Sequence, residues 1–242
     1  MDLLLSAVAI FFSALIQSTT GFGFALISIP ILSLMFAPQW VIPLVMLISF
    51  LTLSINVKSV YKGSDRKLQK RLLLGSLLGL PIGGGVFFYF DVEGLRLLIS
   101  IVIILITLLL IFKHYFDRWL SKIEKKDWCF GAFSGFLTFS VGLPGPPIML
   151  YLETKKADQV YYRANGIVFL FFIYPFPLTV LLLSGSITME MVKYLLLLLP
   201  VSYLGVLVGN KVHKLISKKF FILITYTILL STGISLLLRT LL

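Results

Sequence analysis

Six stretches of this chain, residues 40–60, 71–90, 95–114, 162–183, 191–210 and 220–238, are apolar for long enough to cross about 30 Å of hydrocarbon as helices. Lipid offers no hydrogen bonds, so every backbone N–H and C=O at membrane depth must be satisfied within the fold, and helices do this segment by segment. The expected fold class is therefore an all-α polytopic membrane protein. Of 242 residues, 59% are hydrophobic and 13% charged, and the apolar runs exceed what a soluble core uses. The first of them has neither a basic n-region nor a small-residue cleavage site, and similar segments recur to the last residue, so it is read as part of the mature chain.

The formal net charge of +11 would point to nucleic acid in a soluble protein. Here Lys and Arg sit in short loops between apolar spans, where they orient the chain in a bilayer, and no nucleic-acid partner is expected. The lone Cys129 excludes an internal disulfide, a Cys/His metal cluster and a dithiol motif. It reads as a small apolar residue near a helix end. No cofactor or metal is expected.

Two regions, 2–36 and 128–152, do not read as plain spans. "FFSALIQSTTGFGFALISIPIL" breaks at its middle into Gln17, Ser18, Thr19, Thr20, Gly21 and Gly23, and "FSGFLTFSVGLPGPPIMLYL" breaks at "GLPGPP". The positive-inside rule arbitrates between crossing and returning. If each broken region enters and leaves from one face as a hairpin, the groups around Lys58–Arg71, Lys113–Lys126, Lys155–Arg163 and Lys211–Lys219 all face the cytoplasm, with only Arg96, Lys193 and Arg239 outside. If the second region crosses fully, that bias largely disappears. The hairpin reading puts both termini outside.

Two hairpins entering from opposite faces make the halves inverted. "FSALIQSTTGFG" parallels "FSGFLTFSVGLPG", and Ser76, Gly79, Gly83 match Ser202, Gly205, Gly209. The expected organisation is one integral membrane domain of two inverted repeats, 1–114 and 128–242, joined by a cytoplasmic linker, 115–127. Each repeat holds a broken or re-entrant helical hairpin and three transmembrane helices, a recurring design of secondary transporters. The Ser/Gly triplets read as close-packing surfaces.

A break at membrane depth costs several kcal/mol per unpaired group, so it implies a use. Both breaks precede a helix, and a helix N-terminus with free N–H groups is a ready anion site. Its dipole contributes only about 0.3 to 2 kcal/mol, so side-chain donors must help. The candidate substrate-binding residues are Gln17, Ser18, Thr19, Thr20, Gly21 and Gly23 in the first break and Thr138, Ser140, Gly142 and Gly145 in the second. Arg163 and Asn165 join them at a cytoplasmic vestibule. Pro175 and Pro177 are expected to kink their span. All ten acids fall in loops or at span ends, leaving no intramembrane carboxylate as proton relay or sodium ligand. A nucleophile such as Ser140 or Cys129 would lack a base at its depth, so an enzyme is not expected.

At these residues the chain resembles the sulfite exporter TauE/SafE family of membrane permeases, in length, in duplicated organisation, and in "GFGFALISIPIL" and "GLPGPPIMLYL". It departs from the commonest pattern in having Pro144, Pro146 and Pro147 where glycines run together. The resemblance implies a multi-pass protein of a prokaryotic inner membrane that exports small sulfur-containing anions such as sulfite or sulfonates. The lipid bilayer is its other partner, and a homodimer is compatible with the sequence. An anion channel, or an uptake permease for a related oxyanion, is the alternative, with a membrane-embedded enzyme behind it.

Overall fold

In the computed structural model the described residues are 2–112, 126–154, 159–212 and 218–241. They form eleven α-helices and one short 3-10 turn, with no strand among the described residues. In chain order the helices are α1 (Asp2–Thr20), α2 (Phe24–Ser33), α3 (Pro38–Val60), α4 (Arg66–Tyr89), α5 (Val92–Ile111), α6 (Asp127–Val141), α7 (Gly145–Thr154), α8 (Gln159–Ile173), α9 (Pro175–Leu183), α10 (Met189–Val212) and α11 (Lys218–Leu241). The linker expected at 115–127 lies outside the described residues except for Lys126 and Asp127.

Among the described residues six stretches are long and apolar enough to cross a membrane: Asp2–Thr19, Pro38–Gly63, Arg66–Tyr89, Val92–Leu109, Val160–Leu183 and Met189–Lys211. Five overlap the spans read from sequence. The addition is α1, because the chain stays helical through Gln17, Ser18 and Thr19 and breaks only at Gly21. Its 19 residues give a rod of about 28 Å, whereas the 10 residues of α2 give about 15 Å. The first broken region is thus one long and one half-length helix. In the second, 15 residues precede the break and 10 follow it.

Local chemistry sets the helix ends. The Asp65 carboxylate accepts from the backbone N–H groups of Lys67 and Leu68 at 2.9 and 3.0 Å and caps α4. Asp91 caps α5 through the N–H of Gly94 at 2.8 Å. The span over 160–183 is interrupted at Tyr174, where Pro175 and Pro177 remove the amides that would have met the carbonyls of Phe171 and Ile173. The helix is interrupted at the place where these prolines were expected to kink it.

The helices pair across the two halves of the chain. Packing is most extensive between α4 and α6, then α1 and α10, then α5 and α11, with α3 against α8. Small residues allow the first two. A methyl group on Gly75, Gly79 or Gly83 would run into backbone of Trp128, Ala132 or Phe136 respectively, and one on Gly205 or Gly209 into backbone of Phe11 or Leu15. The Ser/Gly triplets are therefore close-packing surfaces, as the sequence indicated. The order of these contacts also shows that α4 runs parallel to α6, and α1 parallel to α10. Thr52 and Ser202 add a buried hydroxyl pair at 2.9 Å between α3 and α10.

Lipid-compatible surface lies outside these seams. Leu78, Ile82, Leu182 and Leu183 are each more than 60% exposed, which suits a hydrocarbon environment. The interior is centred on α2, of whose ten residues only Ile31 is not buried. A half-length helix placed at the centre brings its first turn, at Gly23 and Phe24, deep into the bundle.

Candidate functional site: two broken helices at one crevice

The first break is built from two glycines in the left-handed region, Gly21 at φ +87° and Gly23 at φ +102°. The Gly21 N–H closes α1 onto the carbonyl of Gln17 at 2.7 Å. The first bond of α2 runs from Ile27 N–H to the Gly23 carbonyl at 3.1 Å. The amides of Phe24, Ala25 and Leu26 precede that bond and have no intrahelical acceptor.

The second break starts at Gly142, φ +74°, which ends α6 with bonds from its own N–H to Thr138 and from Leu143 N–H to Leu137, each 3.0 Å. Ser134 Oγ donates to the Pro144 carbonyl at 2.6 Å and holds the turn. α7 then begins at Gly145 with Pro146 and Pro147 in its first turn. Neither proline has an N–H, so of its first three positions this helix start offers only the amide of Gly145, where α2 offers three consecutive ones.

Both helix starts line one narrow crevice with room for about one water, part of it open to the outside. Gln17, Gly23, Phe24 and Ala25 form one wall; Leu143, Pro144, Gly145 and Pro146 form the other; Leu170 and Tyr174 close it. No charged residue is among its lining residues. A second, apolar crevice adjoins it through Phe22, Gly145 and Leu170 and runs along Ile148, Leu152, Tyr162 and Phe169. Phe22 meets Tyr162 edge-on, ring centres 5.9 Å apart.

Of the residues read from sequence, Gln17, Gly23 and Gly145 line the crevice. Gln17 is 4% exposed; its Nε2 donates to Ser49 Oγ at 3.4 Å, and its Oε1 has no partner among the described residues. Gly21 lies behind the crevice wall, where a Cβ would come within 3.0 Å of Arg163 Cα. Gly142 lies behind the opposite wall against Ile29 and Ile42. Four hydroxyls bond carbonyls of their own helices: Ser18 to Leu15 at 2.9 Å, Thr19 to Ile16 at 2.8 Å, Thr138 to Ser134 at 2.6 Å and Ser140 to Phe136 at 2.7 Å. Ser18 faces Gly209 of α10. The Thr20 side chain lies outside the described residues.

Arg163 and Asn165 sit at the start of α8. Arg163 Nη2 donates to Asn210 Oδ1 at 2.9 Å. Asn165 Oδ1 accepts from the Asp65 N–H and from Gln69 Nε2, both at 3.0 Å, and ties α8 to the start of α4. Nearby, the buried Asp127 pairs with Arg71 Nε at 2.8 Å and accepts from the Tyr151 hydroxyl. This carboxylate opens α6, at a helix end as the sequence reading had it. Among the described residues no group of His, Cys, Asp and Glu could hold a metal ion.

One polar residue of the crevice was not singled out from sequence. Tyr174, 1% exposed where the helix is interrupted before Pro175, lines the crevice. Pro175 marked the interruption, but nothing distinguished Tyr174 from a tyrosine at the lipid interface.

A multi-pass helical bundle whose two interrupted helices meet at a shared polar-backbone crevice has the build of a membrane transporter. Residues 6–236 match the sulfite exporter TauE/SafE family. The chain belongs to that family and is a multi-pass membrane transporter. No curated protein and no solved structure matched it.

Proposed function

We propose that this transporter exports a small sulfur-containing anion, sulfite or a sulfonate, binding it in the crevice between the starts of α2 and α7. The observation that carries the reading is the convergence of both breaks on one crevice, with Gln17 in its wall. The consecutive amides of Phe24, Ala25 and Leu26 supply fixed donors for an oxyanion. Gly21, Gly23, Gly142 and Gly145 shape the backbone that presents them. Ser18, Thr19, Thr138 and Ser140 hold the rims of the breaks through their own helices, and Arg163 with Asn165 forms the vestibule.

The cross-pairing of α4 with α6 and α10 with α1, each parallel, supports two halves of opposite orientation. In that arrangement Lys58, Lys62, Lys67, Lys70, Lys126 and Lys211 gather at one end of the bundle, which we assign to the cytoplasm of a prokaryotic inner membrane, with both termini outside. Export of a monoanion from a negative interior gains about 2.3 kcal/mol per 100 mV. A carboxylate relay is not required.

The test is counterflow of radiolabelled sulfite in proteoliposomes. A transporter of this kind shows saturable uptake of label accelerated by unlabelled sulfite on the far side. A channel gives flux without that acceleration, and absence of any sulfite or sulfonate flux overturns the proposal.

A further inference from the structure

Gln17 is more than nine-tenths buried, lines the crevice, and leaves Oε1 without a partner among the described residues while Nε2 points to Ser49. With Nε2 turned to Ser49, the atom of Gln17 left without a partner is an acceptor. A buried acceptor is costly unless something donates to it. Beside it, along the same wall, stand the first-turn amides of α2, which are donors, and no charged residue lines the crevice.

We infer that the crevice selects an oxyanion carrying one acidic proton, and that Gln17 is the residue that reads that proton. A fully deprotonated oxyanion has acceptors alone, so one of its oxygens would face Oε1 with lone pairs opposed. Sulfite in its doubly charged form would in addition lose its hydration in a crevice with no cation to replace it. Hydrogensulfite satisfies both groups: its bare oxygens take the amides of Phe24, Ala25 and Leu26, and its proton is donated to Gln17 Oε1. Each anion carried then brings one proton with it, which is released again wherever the pH favours the dianion. The protein needs no titrating side chain for this. The inference rests on the transport reading above and adds the ionisation state of its substrate.

The experiment compares hydrogensulfite with methanesulfonate, an oxyanion of equal charge without an acidic proton. Counterflow of both is measured in proteoliposomes at one pH on both sides, below the second ionisation of sulfurous acid. In the wild-type protein, hydrogensulfite competes at a concentration about tenfold or more below that of methanesulfonate, the discrimination expected of one unmet buried acceptor. Gln17→Met narrows that ratio by about tenfold, with the larger loss on hydrogensulfite. Equal competition in the wild type overturns the inference even if the variant does not fold. An equal loss of both substrates in Gln17→Met also overturns it, since the amide N–H would then serve any anion. Absence of flux for either anion in the wild type removes the transport reading itself, and this inference with it.

Discussion

The two breaks use one backbone device with different chemistry. Each ends a helix on a left-handed glycine, Gly21 or Gly142, and starts a 10-residue helix a few residues later. Behind Gly21 stands Arg163, and behind Gly142 stand Ile29 and Ile42. The first break leads into a helix with all its early amides, the second into one with Pro146 and Pro147 in its first turn. Equivalent geometry therefore does not make equivalent chemistry: the first break brings consecutive backbone amides and a neighbouring arginine, while the second brings prolines without an N–H. Only Gln17 contributes a side-chain amide to the crevice.

This difference can be broken by substitution. The largest effect is expected from Gly23→Val, which puts a β-branched residue at φ +102° with its Cβ within 3.2 Å of Ile16 Cγ2. Strain of about 1–3 kcal/mol turns the amides of α2 away from the crevice, and counterflow should fall by about thirtyfold or more. Thermal unfolding in detergent reports the strain separately. Arg163→Gln tests the charge behind the first break. Its half-saturating substrate concentration should rise about fivefold at low salt, and by less at high salt as ions screen the missing charge.

The second break should respond in the opposite sense. Pro146→Ala restores an N–H to the first turn of α7, and a gain in affinity of about threefold, read from the half-saturating concentration, is expected from one added donor. A loss instead would show that the proline ring itself shapes the wall. The smallest effect belongs to Gly145→Ala, whose Cβ would meet Phe22 at an ordinary 3.7 Å. Counterflow should fall by no more than about twofold, since Ala suits an α-helical turn. A drop as deep as that of Gly23→Val would erase the contrast between the two breaks.

Much of the architecture was legible because glycine and proline punctuate an otherwise uniform apolar text. The starts of α2 and α7, the interruption before Pro175 and the packing stripes at Ser76/Gly79/Gly83 and Ser202/Gly205/Gly209 each follow from a residue whose backbone or size admits few alternatives. The extent of α1 was less legible, since Ser18 and Thr19 look like loop residues but bond back to Leu15 and Ile16 within the helix. The same ambiguity governs the site. A hydroxyl in an apolar helix can turn to its own i−3 or i−4 carbonyl as readily as to a ligand, and composition does not say which. Ser49 and Tyr174 were hidden for a related reason: their place beside Gln17 depends on how α3 and the interrupted span approach α1.

The seams between α4 and α6 and between α1 and α10 have a consequence for motion. Each welds one half's interrupted rod to the opposite half's long helix, with backbones so near that no methyl group fits between them. A cycle that parted the chain along its middle, one repeat rocking against the other, would tear both welds at once. The bodies that move must therefore be chimeric, each assembled from segments of both halves of the chain.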